Sequence, residues 1–340
     1  MPLLSPVLTS VCAACPLLSR RSLPALPTLS HTTSVVPFVR AAVAQMDEGL
    51  SKRLRPSGPG MLGDEMKVYE AETCAAAADM HRISIVRLDG HCFHTFTKGF
   101  SRPYDMRIHV AMVGTATDLL ERFHAVTAYT ESDEISLVFP PSSAESASLP
   151  FNGRVQKIAS VFAGYASARF NAHMSVQPFD KADAGEAILA ERVARSEAHF
   201  DARVFTLPSQ RQLVDYFRWR ALMDCRRNSI SMLAQAHFPA SRLQRVEAAR
   251  VLRMLHDEKG ISWEDEPAFF RFGCFVKKEQ YEKPAFNPKT QQEVMARRTR
   301  TVSRAFEFQP ENNVDFLLLR FWPTCKEQQP WRDPTADPGG

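Results

Sequence analysis

Two apolar segments that end in acidic turns constrain the fold of this chain more than any other feature. Residues 83–88 have the pattern of a strand that becomes fully buried, and the run ends at Asp89. Residues 125–129 and 135–139 are short β-prone runs on either side of a polar five-residue connection containing Asp133, which predicts a hairpin. If these strands are neighbours in one sheet, the two carboxylates lie within a few ångströms of each other.

Two carboxylates so close together favour a bound divalent cation. Without one, their mutual repulsion keeps a proton on one of them at neutral pH. Hard oxygen ligands, a main-chain carbonyl freed by Gly90 and the lack of a nearby His/Cys cluster favour magnesium over zinc. Two magnesium ions about 3.5–4 Å apart would suit an in-line phosphoryl or nucleotidyl transfer. From spacing alone the alternative is that Asp89 and Asp133 are ordinary turn residues.

The remaining periodicity predicts the fold class. Asp105 is a candidate N-cap for a helix that ends near Phe123, and further helices are expected over 155–170, from 209 through Trp219 and over 243–255. Residues 200–207 are expected to form another strand. The order strand, helix, hairpin, helix, strand predicts an α+β fold with a mostly antiparallel sheet covered by helices.

Charge and cysteine content limit the class of protein and its compartment. The 340 residues carry 42 Lys+Arg and 38 Asp+Glu, and the net charge of +4 does not by itself indicate a nucleic-acid partner. No run approaches the roughly 18 apolar residues that a membrane-spanning helix needs. Seven scattered cysteines argue against a disulfide framework, and a lone C-x-x-C at Cys12 and Cys15 is weak evidence for zinc.

The N-terminal 45 residues differ in composition from the rest. They contain no Asp or Glu, three Arg and many Ser, Thr, Ala and Leu, as organellar transit peptides do. We therefore expect a mitochondrial location, with a cytoplasmic one as the alternative. An unstructured leader or a start codon placed too early would also explain the composition.

Several sequence blocks, in a fixed order, identify a family together although each alone is weak. They are Arg87-Leu88-Asp89-Gly90 with Phe93-His94, Arg102-Pro103 with Asp105, Ser132-Asp133-Glu134 with Ser136, Phe200-Asp201 with Arg203, Pro208-Ser209, Tyr216 with Trp219-Arg220, and Gly260-Ile261 with Trp263, Pro267 and Gly273. Over roughly residues 68–277 the chain resembles the tRNA-histidine guanylyltransferase family, whose members add nucleotides in the reverse, 3′-to-5′ direction.

The resemblance implies a palm domain like that of ordinary polymerases, with a two-metal catalytic site. Asp89 and Asp133 would be the catalytic carboxylates that bridge two Mg²⁺ ions, the Gly90 carbonyl a further metal ligand and Glu134 a third catalytic acid. The positions expected to bind the nucleotide triphosphate are His94, Arg102, Asp105, Ser132, Arg154 and Lys157. Judged without the family, Arg154 and Lys157 fit a solvated helix face better than a phosphate-binding role.

One block departs from the family pattern. Parent enzymes carry His-Ile-Asn-Asn after the Trp-Arg pair, whereas this chain has Arg226-Arg227-Asn228-Ser229, and its interval from Trp219 is one residue longer. That block resembles the guanylyltransferase-like proteins, which repair truncated tRNA 5′ ends by template-dependent addition. Arg220, Arg226, Arg227 and Asn228 are the candidate tRNA contacts.

The predicted function is therefore template-dependent 3′-to-5′ nucleotide addition to tRNA, with ATP, GTP and other nucleoside triphosphates as substrates and a homotetramer as the expected assembly. The alternatives are addition of a single guanosine to histidine tRNA, a palm-fold nucleotide cyclase, and an inactive RNA-binding protein. The predicted organisation is a leader and linker at 1–65, a palm-like catalytic region at 66–200, a helical remainder at 201–277 and a C-terminal extension at 278–340 whose end is disordered.

Overall fold

One six-stranded antiparallel sheet organises the computed structural model, which describes residues 66–69, 74–142, 149–287, 289, 291–311 and 315–323. The strands are β1 Ile83–Gly90, β2 Thr127–Glu131, β3 Glu134–Phe139, β4 Phe200–Leu207, β5 Cys274–Asn287 and β6 Gln292–Arg304. Their order in the sheet is β4-β1-β3-β2-β5-β6, and every neighbouring pair is antiparallel. The predicted α+β class is confirmed.

Helices cover both faces of this sheet. They are α1 Phe93–Phe96, α2 Met106–Phe123, α3 Val155–Ser175, α4 Ala184–Ala194, α5 Gln210–Phe217, α6 Cys225–His237, α7 Ala240–Leu243, α8 Ala248–Lys259 and α9 Ala268–Phe272. Short 3-10 segments lie at Pro150–Gly153, Trp263–Asp265 and Asp315–Leu317, and a π-helical turn, Arg218–Asp224, joins α5 to α6. In the part of the chain that the structure describes, no helix is long and apolar enough to cross a membrane.

Strand β1 lies at the centre of two cores. Val86 and Leu88 pack on one face of the sheet with α2 and α3, while Ile83 and Ile85 pack on the other face with α5. All four side chains are buried because both faces are covered, which confirms the prediction of a fully buried strand. A third apolar cluster, around Trp263, joins α6 to α8.

Two local predictions hold and one fails. The helix capped by Asp105 forms as expected, because the carboxylate Oδ1 accepts the Arg107 N–H at 3.0 Å at the start of α2. The strand predicted over 200–207 is β4. The helix predicted over 243–255 is wrong in its start, since Leu243 ends the separate short helix α7 and α8 begins at Ala248.

The hairpin connection is shorter than the polar run that suggested it. β2 continues to Glu131 and β3 begins at Glu134, so only Ser132 and Asp133 form the turn, with Ser132 at φ 51° in the left-handed region. The polar side chains at 130, 131 and 134 are buried in the strands because they have polar partners, as the Thr130 hydroxyl has in the Glu134 carbonyl at 2.9 Å. Polarity alone therefore misplaced the turn.

The C-terminal boundary predicted at 277/278 is also wrong. β5 runs straight through it and pairs with β6 in a long hairpin, after which Phe306, Phe308, Phe316 and Trp322 pack against the sheet. The described residues from Lys67 onward form one unit, so the boundary predicted at 200/201 does not divide the structure. The predicted leader, Cys12, Cys15 and the predicted disordered end at 328–340 lie outside the described residues.

Lys277 holds this C-terminal segment against the sheet. Its side chain is fully buried, and its Nζ lies within hydrogen-bond distance of the carbonyls of Val126 (2.9 Å), Phe316 (2.7 Å) and Leu319 and of the Thr127 hydroxyl (2.7 Å). Burial lowers the pKa of Lys277 well below its ordinary value. The partners named here are neutral oxygens from two separate parts of the chain, residues 126–127 and 316–319.

Candidate active site

The strand-end carboxylates meet at one end of the sheet, as the sequence predicts. β1 and β3 are neighbours, with Asp89 opposite Glu134, and the Gly90 N–H donates to the Asp133 carbonyl at 3.0 Å. Burial and the nearby negative charge of Asp89 both raise the pKa of Asp133. Two acids that oppose each other's ionisation form a place where a cation is stabilised.

Close packing fixes the end of β1. A Cβ on Gly90 would lie only 2.4 Å from the Phe93 ring, so only glycine leaves room for this side chain. Phe93 in turn packs against Phe170 and Phe200, with ring centroids 5.2 and 5.0 Å away. The apolar core therefore holds the chain around Asp89 and Gly90 in place.

The donor set suits magnesium better than a transition metal. In the described ranges no group of three or more His, Cys, Asp or Glu side chains is arranged to hold a metal ion. What this end of the sheet offers is the carboxylates of Asp89 and Asp133 with the main chain of Gly90 beside them. Magnesium is usually bound by one or two carboxylates, with water and substrate phosphates completing its shell, so these residues fit it.

A pocket opens directly beside Asp133. Its volume is about 380 Å³, within the usual range for small-molecule sites. Four of the predicted nucleotide-binding residues line it, namely His94, Arg102, Asp105 and Ser132. An apolar wall faces them, made by residues such as Tyr104, Met112, Met232, Phe269 and Phe270. The pocket thus combines charged groups near the carboxylates with rings and thioethers farther along.

His109 is a pocket residue that the sequence analysis missed. Its imidazole stacks on Phe269 with ring centroids 4.0 Å apart, and burial lowers its pKa to about 4. The ring is therefore neutral at pH 7 and presents an aromatic surface rather than a charge. The sequence gives no sign of this role, because the stacking partner, Phe269, lies 160 positions after His109.

Asp105 lines the pocket, but its carboxylate is already occupied. It accepts main-chain N–H groups from Ser101 (3.1 Å) and Arg107 (3.0 Å) and the Arg107 guanidinium at 2.7 and 2.9 Å. Burial raises its pKa, but these hydrogen bonds outweigh burial and leave the pKa below its ordinary value. In this structure Asp105 fixes the loop that carries Arg102.

Arg154 and Lys157 are not brought into the pocket. They lie at the N-terminal end of α3, where residue 154 bridges to Ala77, while the C-terminal half of α3 reaches the site through Phe170. Lys157 and Phe170 are separated by about 20 Å of helix, at about 1.5 Å per residue. Within one chain these two residues do not line the pocket, and their triphosphate role stays a prediction.

Arg220 is the centre of a buried charge cluster, which is not the place expected of a tRNA contact. Its side chain is only 11% exposed. It donates to both oxygens of Glu134, with Nε–Oε1 at 2.8 Å, and to Asp224, and it lies 3.6 Å from Glu131. The predicted surface role of Arg220 is wrong because its guanidinium is already bound by carboxylates.

The same cluster changes the expected role of Glu134. Besides the two bonds from Arg220, its carboxylate has Arg87 at 3.7 Å. Neighbouring Glu131 is buried, and burial together with the charge of Glu134 raises its pKa to about 8. A carboxylate held by two guanidinium groups has little capacity left for a metal or substrate, so the geometry favours a structural role for Glu134.

The remaining predicted tRNA contacts separate into two groups. Arg226 and Arg227 are exposed, with Arg226 over the Trp263 ring at 4.5 Å and Arg227 paired with Asp224 at 2.7 Å. Asn228 instead lines the pocket, where its Nδ2 lies 3.5 Å from Glu131 Oε1. Asn228 therefore faces the small-molecule cavity rather than the outer surface.

Comparison with known proteins gives consistent matches. A family model described as tRNAHis guanylyltransferase matches residues 63–208. An uncharacterized protein of Acanthamoeba polyphaga mimivirus is 30% identical over 226 residues, which cover 64% of this chain and 77% of that protein.

Solved structures extend the likeness to three dimensions. A bacterial tRNA(His) guanylyltransferase (Thg1)-like protein in complex with ATP superposes with a TM-score of 0.55 at 32% identity, covering 69% of this chain and 91% of that one. A structure with the same description, in complex with GTP, gives 0.53 at 31% identity and covers 71% and 90%.

Proposed function

This chain belongs to the tRNA-histidine guanylyltransferase family, a family of nucleotidyltransferases, and from that premise we propose that it adds nucleotides to the 5′ end of tRNA in the 3′-to-5′ direction, directed by the opposite strand. The observation that carries the proposal is the pocket beside Asp133, which places a nucleotide-sized cavity next to paired carboxylates. Related proteins in complex with ATP and GTP support nucleoside triphosphates as its occupants.

The reaction has two transfers. An oxygen of the tRNA 5′ monophosphate attacks the α-phosphorus of ATP and releases pyrophosphate; a 5′ triphosphate makes this step unnecessary. The 3′ hydroxyl of the incoming nucleoside triphosphate then attacks the activated 5′ phosphorus, forming the new phosphodiester and releasing AMP or pyrophosphate. Such transfers depend on positioning and fixed charge rather than on covalent catalysis.

The residues of the pocket have separate parts in this scheme. Arg102 supplies positive charge for phosphate oxygens, His94 supplies a hydrogen-bond donor, and Ser132 supplies donors from its left-handed turn. The neutral His109 ring and Phe269 offer an apolar surface for a base or ribose. Cys225 also lines the pocket, but burial raises its pKa far above neutrality, so its thiol stays protonated and is a poor nucleophile.

Asp89, Asp133 and the carbonyl of Gly90 are the residues that would hold two Mg²⁺ ions. Bound there, magnesium would lower the pKa of the attacking hydroxyl and neutralise charge on the leaving group. The chain's own contribution is to hold the two carboxylates at the ends of neighbouring strands, with Asp133 lining the pocket. Asp133→Ala should therefore abolish nucleotide addition while tRNA binding is retained, and an unchanged rate would contradict the assignment.

Template dependence is tested with a tRNA that lacks its first 5′ nucleotide. The opposing base is varied, and the nucleoside triphosphate that becomes incorporated is recorded. We expect the complementary nucleotide in each case, in keeping with the Arg226–Ser229 segment, which differs from the parent block. Addition of guanosine whatever the opposing base would restore the parent activity, and a cyclic product from ATP or GTP alone would indicate a cyclase.

Two exposed arginines support the proposal that tRNA binds to the surface near the pocket. Arg226 and Arg227 lie next to the pocket-lining Asn228, at the start of α6. Phosphate contacts there would make tRNA affinity fall as salt rises. A tRNA-binding constant that does not change with salt concentration would contradict this surface.

Two further proposals concern the oligomeric state and the cellular location of the protein. We propose a homotetramer, checked by native mass spectrometry, with a monomer as the contradicting result. We also propose a mitochondrial destination on the basis of the acid-free first 45 residues. A fluorescent fusion of the full chain that stays in the cytoplasm would favour the alternative.

A further inference from the structure

A π-helical turn interrupts an otherwise continuous helical stretch from Gln210 to His237. It spans Arg218–Asp224, and the residues at both of its junctions, Phe217 and Cys225, have ordinary right-handed helical φ and ψ. Such turns are rare and occur often at functional sites. The turn takes up about one residue more than an α-helix would over the same stretch, and it does so by widening the helix and not by a loop.

The wider turn changes which side chains share a face. In an α-helix each residue rotates by about 100°, so positions eight apart, such as Arg220 and Asn228, would differ by about 80°. When a π-helical turn absorbs one residue, the same interval behaves like seven residues, and the difference falls to about 20°. Both side chains do reach the same hairpin, Arg220 at Glu134 and Asn228 at Glu131.

The contact made by Arg220 is unusually constrained. Its planar guanidinium uses one edge for both oxygens of Glu134 and another for Asp224, which lies one turn further along the same helix. The fork geometry fixes orientation as well as distance, which a lysine could not do. Glu134 directly follows Asp133 in the chain. Anchoring the first residue of β3 therefore anchors the turn that presents Asp133 to the pocket.

We propose that the π-helical turn is a positioning element and that Arg220 is a positioning residue, which holds Glu134 and through it the orientation of Asp133, while the same turn brings Asn228 to the pocket wall. This inference deepens the proposed function and rests on it, because the orientation of Asp133 matters only if that carboxylate serves nucleotide transfer. Glu134 is then an anchor and not a reacting group.

Deletion of Met223 tests the turn. This side chain is 65% exposed, so removing the residue takes away little packing while forcing the helix toward ordinary α geometry. Arg220 and Asn228 can then no longer reach the hairpin together, and we expect kcat/KM for nucleotide addition to fall about 100-fold, the usual result of an ångström-scale misplacement. Met223→Ala is the matched control that keeps the chain length, and its kcat/KM should match wild type.

The deletion also has a readout in the protein without substrate. The guanidinium groups of Arg87 and Arg220 lie over the Trp219 ring, 5.6 and 4.8 Å from its centroid. The share of tryptophan emission that is lost in Trp219→Phe, which separates this residue from the other three tryptophans, should therefore shift in the deletion variant and stay unchanged in Met223→Ala. A folded deletion variant with wild-type kcat/KM would overturn the proposal.

Two substitutions test the positioning role of Arg220 even if the deletion variant does not fold. Arg220→Lys keeps the charge but loses the fork, so kcat should fall at least about tenfold while KM for the nucleotide stays within about twofold. Glu134→Gln should keep at least about a tenth of the activity, since its amide oxygen still accepts from Arg220, whereas Asp133→Asn should lose it. An unaffected Arg220→Lys, or a Glu134→Gln as inactive as Asp133→Asn, would overturn the proposal.

Failure of this inference differs from failure of the proposed function. If the wild-type chain adds no nucleotide to any tRNA, the proposed function fails, while the Trp219 emission of the Arg220→Lys and deletion variants still reports on the positioning contact. If the wild-type chain is active and these variants match it in both rate and emission, only the inference fails.

Discussion

The protein buries a basic side chain in two places, and the two surroundings are opposite in kind. Arg220 is enclosed by carboxylates, whereas Lys277 is held by carbonyl and hydroxyl oxygens. Beyond this cluster, Asp89 and Asp133 lie at the same end of the sheet, where the charge of Asp89 helps to raise the pKa of Asp133, so a cation would relieve their repulsion. The surroundings of Lys277 attract no further ion, and they join segments of the chain instead.

Replacing Arg220 with Met should have the largest effect on stability, because it leaves the buried Glu134 with only Arg87 at 3.7 Å and Asp224 with only the exposed Arg227. Breaking a buried ion pair from one side costs about 3–5 kcal/mol of unfolding free energy. Urea denaturation of wild type and variant measures the difference. Arg218→Met is the control, since Arg218 is exposed and pairs only loosely with Asp215 at 3.8 Å. Equal losses in the two variants would mean that the cluster contributes no more than a surface pair.

Replacing Lys277 with Met should cost less, about 2 kcal/mol, because the carbonyls of Val126 and Phe316 lose a donor while the cost of burying an ammonium disappears. The effect should also be local. Hydrogen exchange should increase at residues 315–322 before it does in β1, and Lys278→Met should leave both regions unchanged. A uniform loss of hydrogen-exchange protection across the sheet would contradict the prediction that Lys277 stabilises mainly the C-terminal segment.

A further expected effect, smaller per pH unit than that of either substitution, is a change in how stability depends on pH, and it distinguishes the two regions again. Burial raises the pKa of Glu131 to about 8, so folded protein keeps a proton that unfolded protein releases above its ordinary pKa of 4.5. Stability is therefore lost as pH rises from about 5 to 8, by at most about 1.4 kcal/mol per pH unit from this group. Glu131→Gln should flatten that slope in protein without metal or nucleotide, as measured by urea denaturation at several pH values. An unaltered slope would mean that Glu131 is ionised in the folded state.

Sequence reasoning succeeded where the signal is local. The buried strand, the Asp105 cap and the acids at strand ends each follow from residues a few positions apart. It failed where burial depends on distant partners. Glu134 and Arg220 are 86 positions apart, and Lys277 and Phe316 are 39 apart, so nothing near either charge indicates that it is buried. The polar run at 130–134 was placed in a turn for the same reason.

The candidate site was predicted in part for a related reason. Asp89, Asp133, His94, Arg102 and Ser132 lie within two short stretches that fold against each other, and they come together as expected. Other residues enter the pocket only through the packing of α2, α6 and α9, among them His109, Cys225, Met232 and Phe269. Arg154 and Lys157 were predicted to be in the site but do not line the pocket, because they lie at the far end of the long helix α3.

The contacts of Lys277 can form only late in the synthesis of the chain. Its ammonium group touches Val126 and Thr127 at the start of the hairpin that carries Asp133, yet two of its other partners are Phe316 and Leu319, which leave the ribosome among the last described residues. Chains fold from the N-terminus as they are made. A nascent or prematurely terminated chain that ends before residue 316 therefore has both site carboxylates but lacks this fastening. We expect such products to be less stable and more readily degraded than the finished protein, so that fragments carrying an incomplete site do not accumulate.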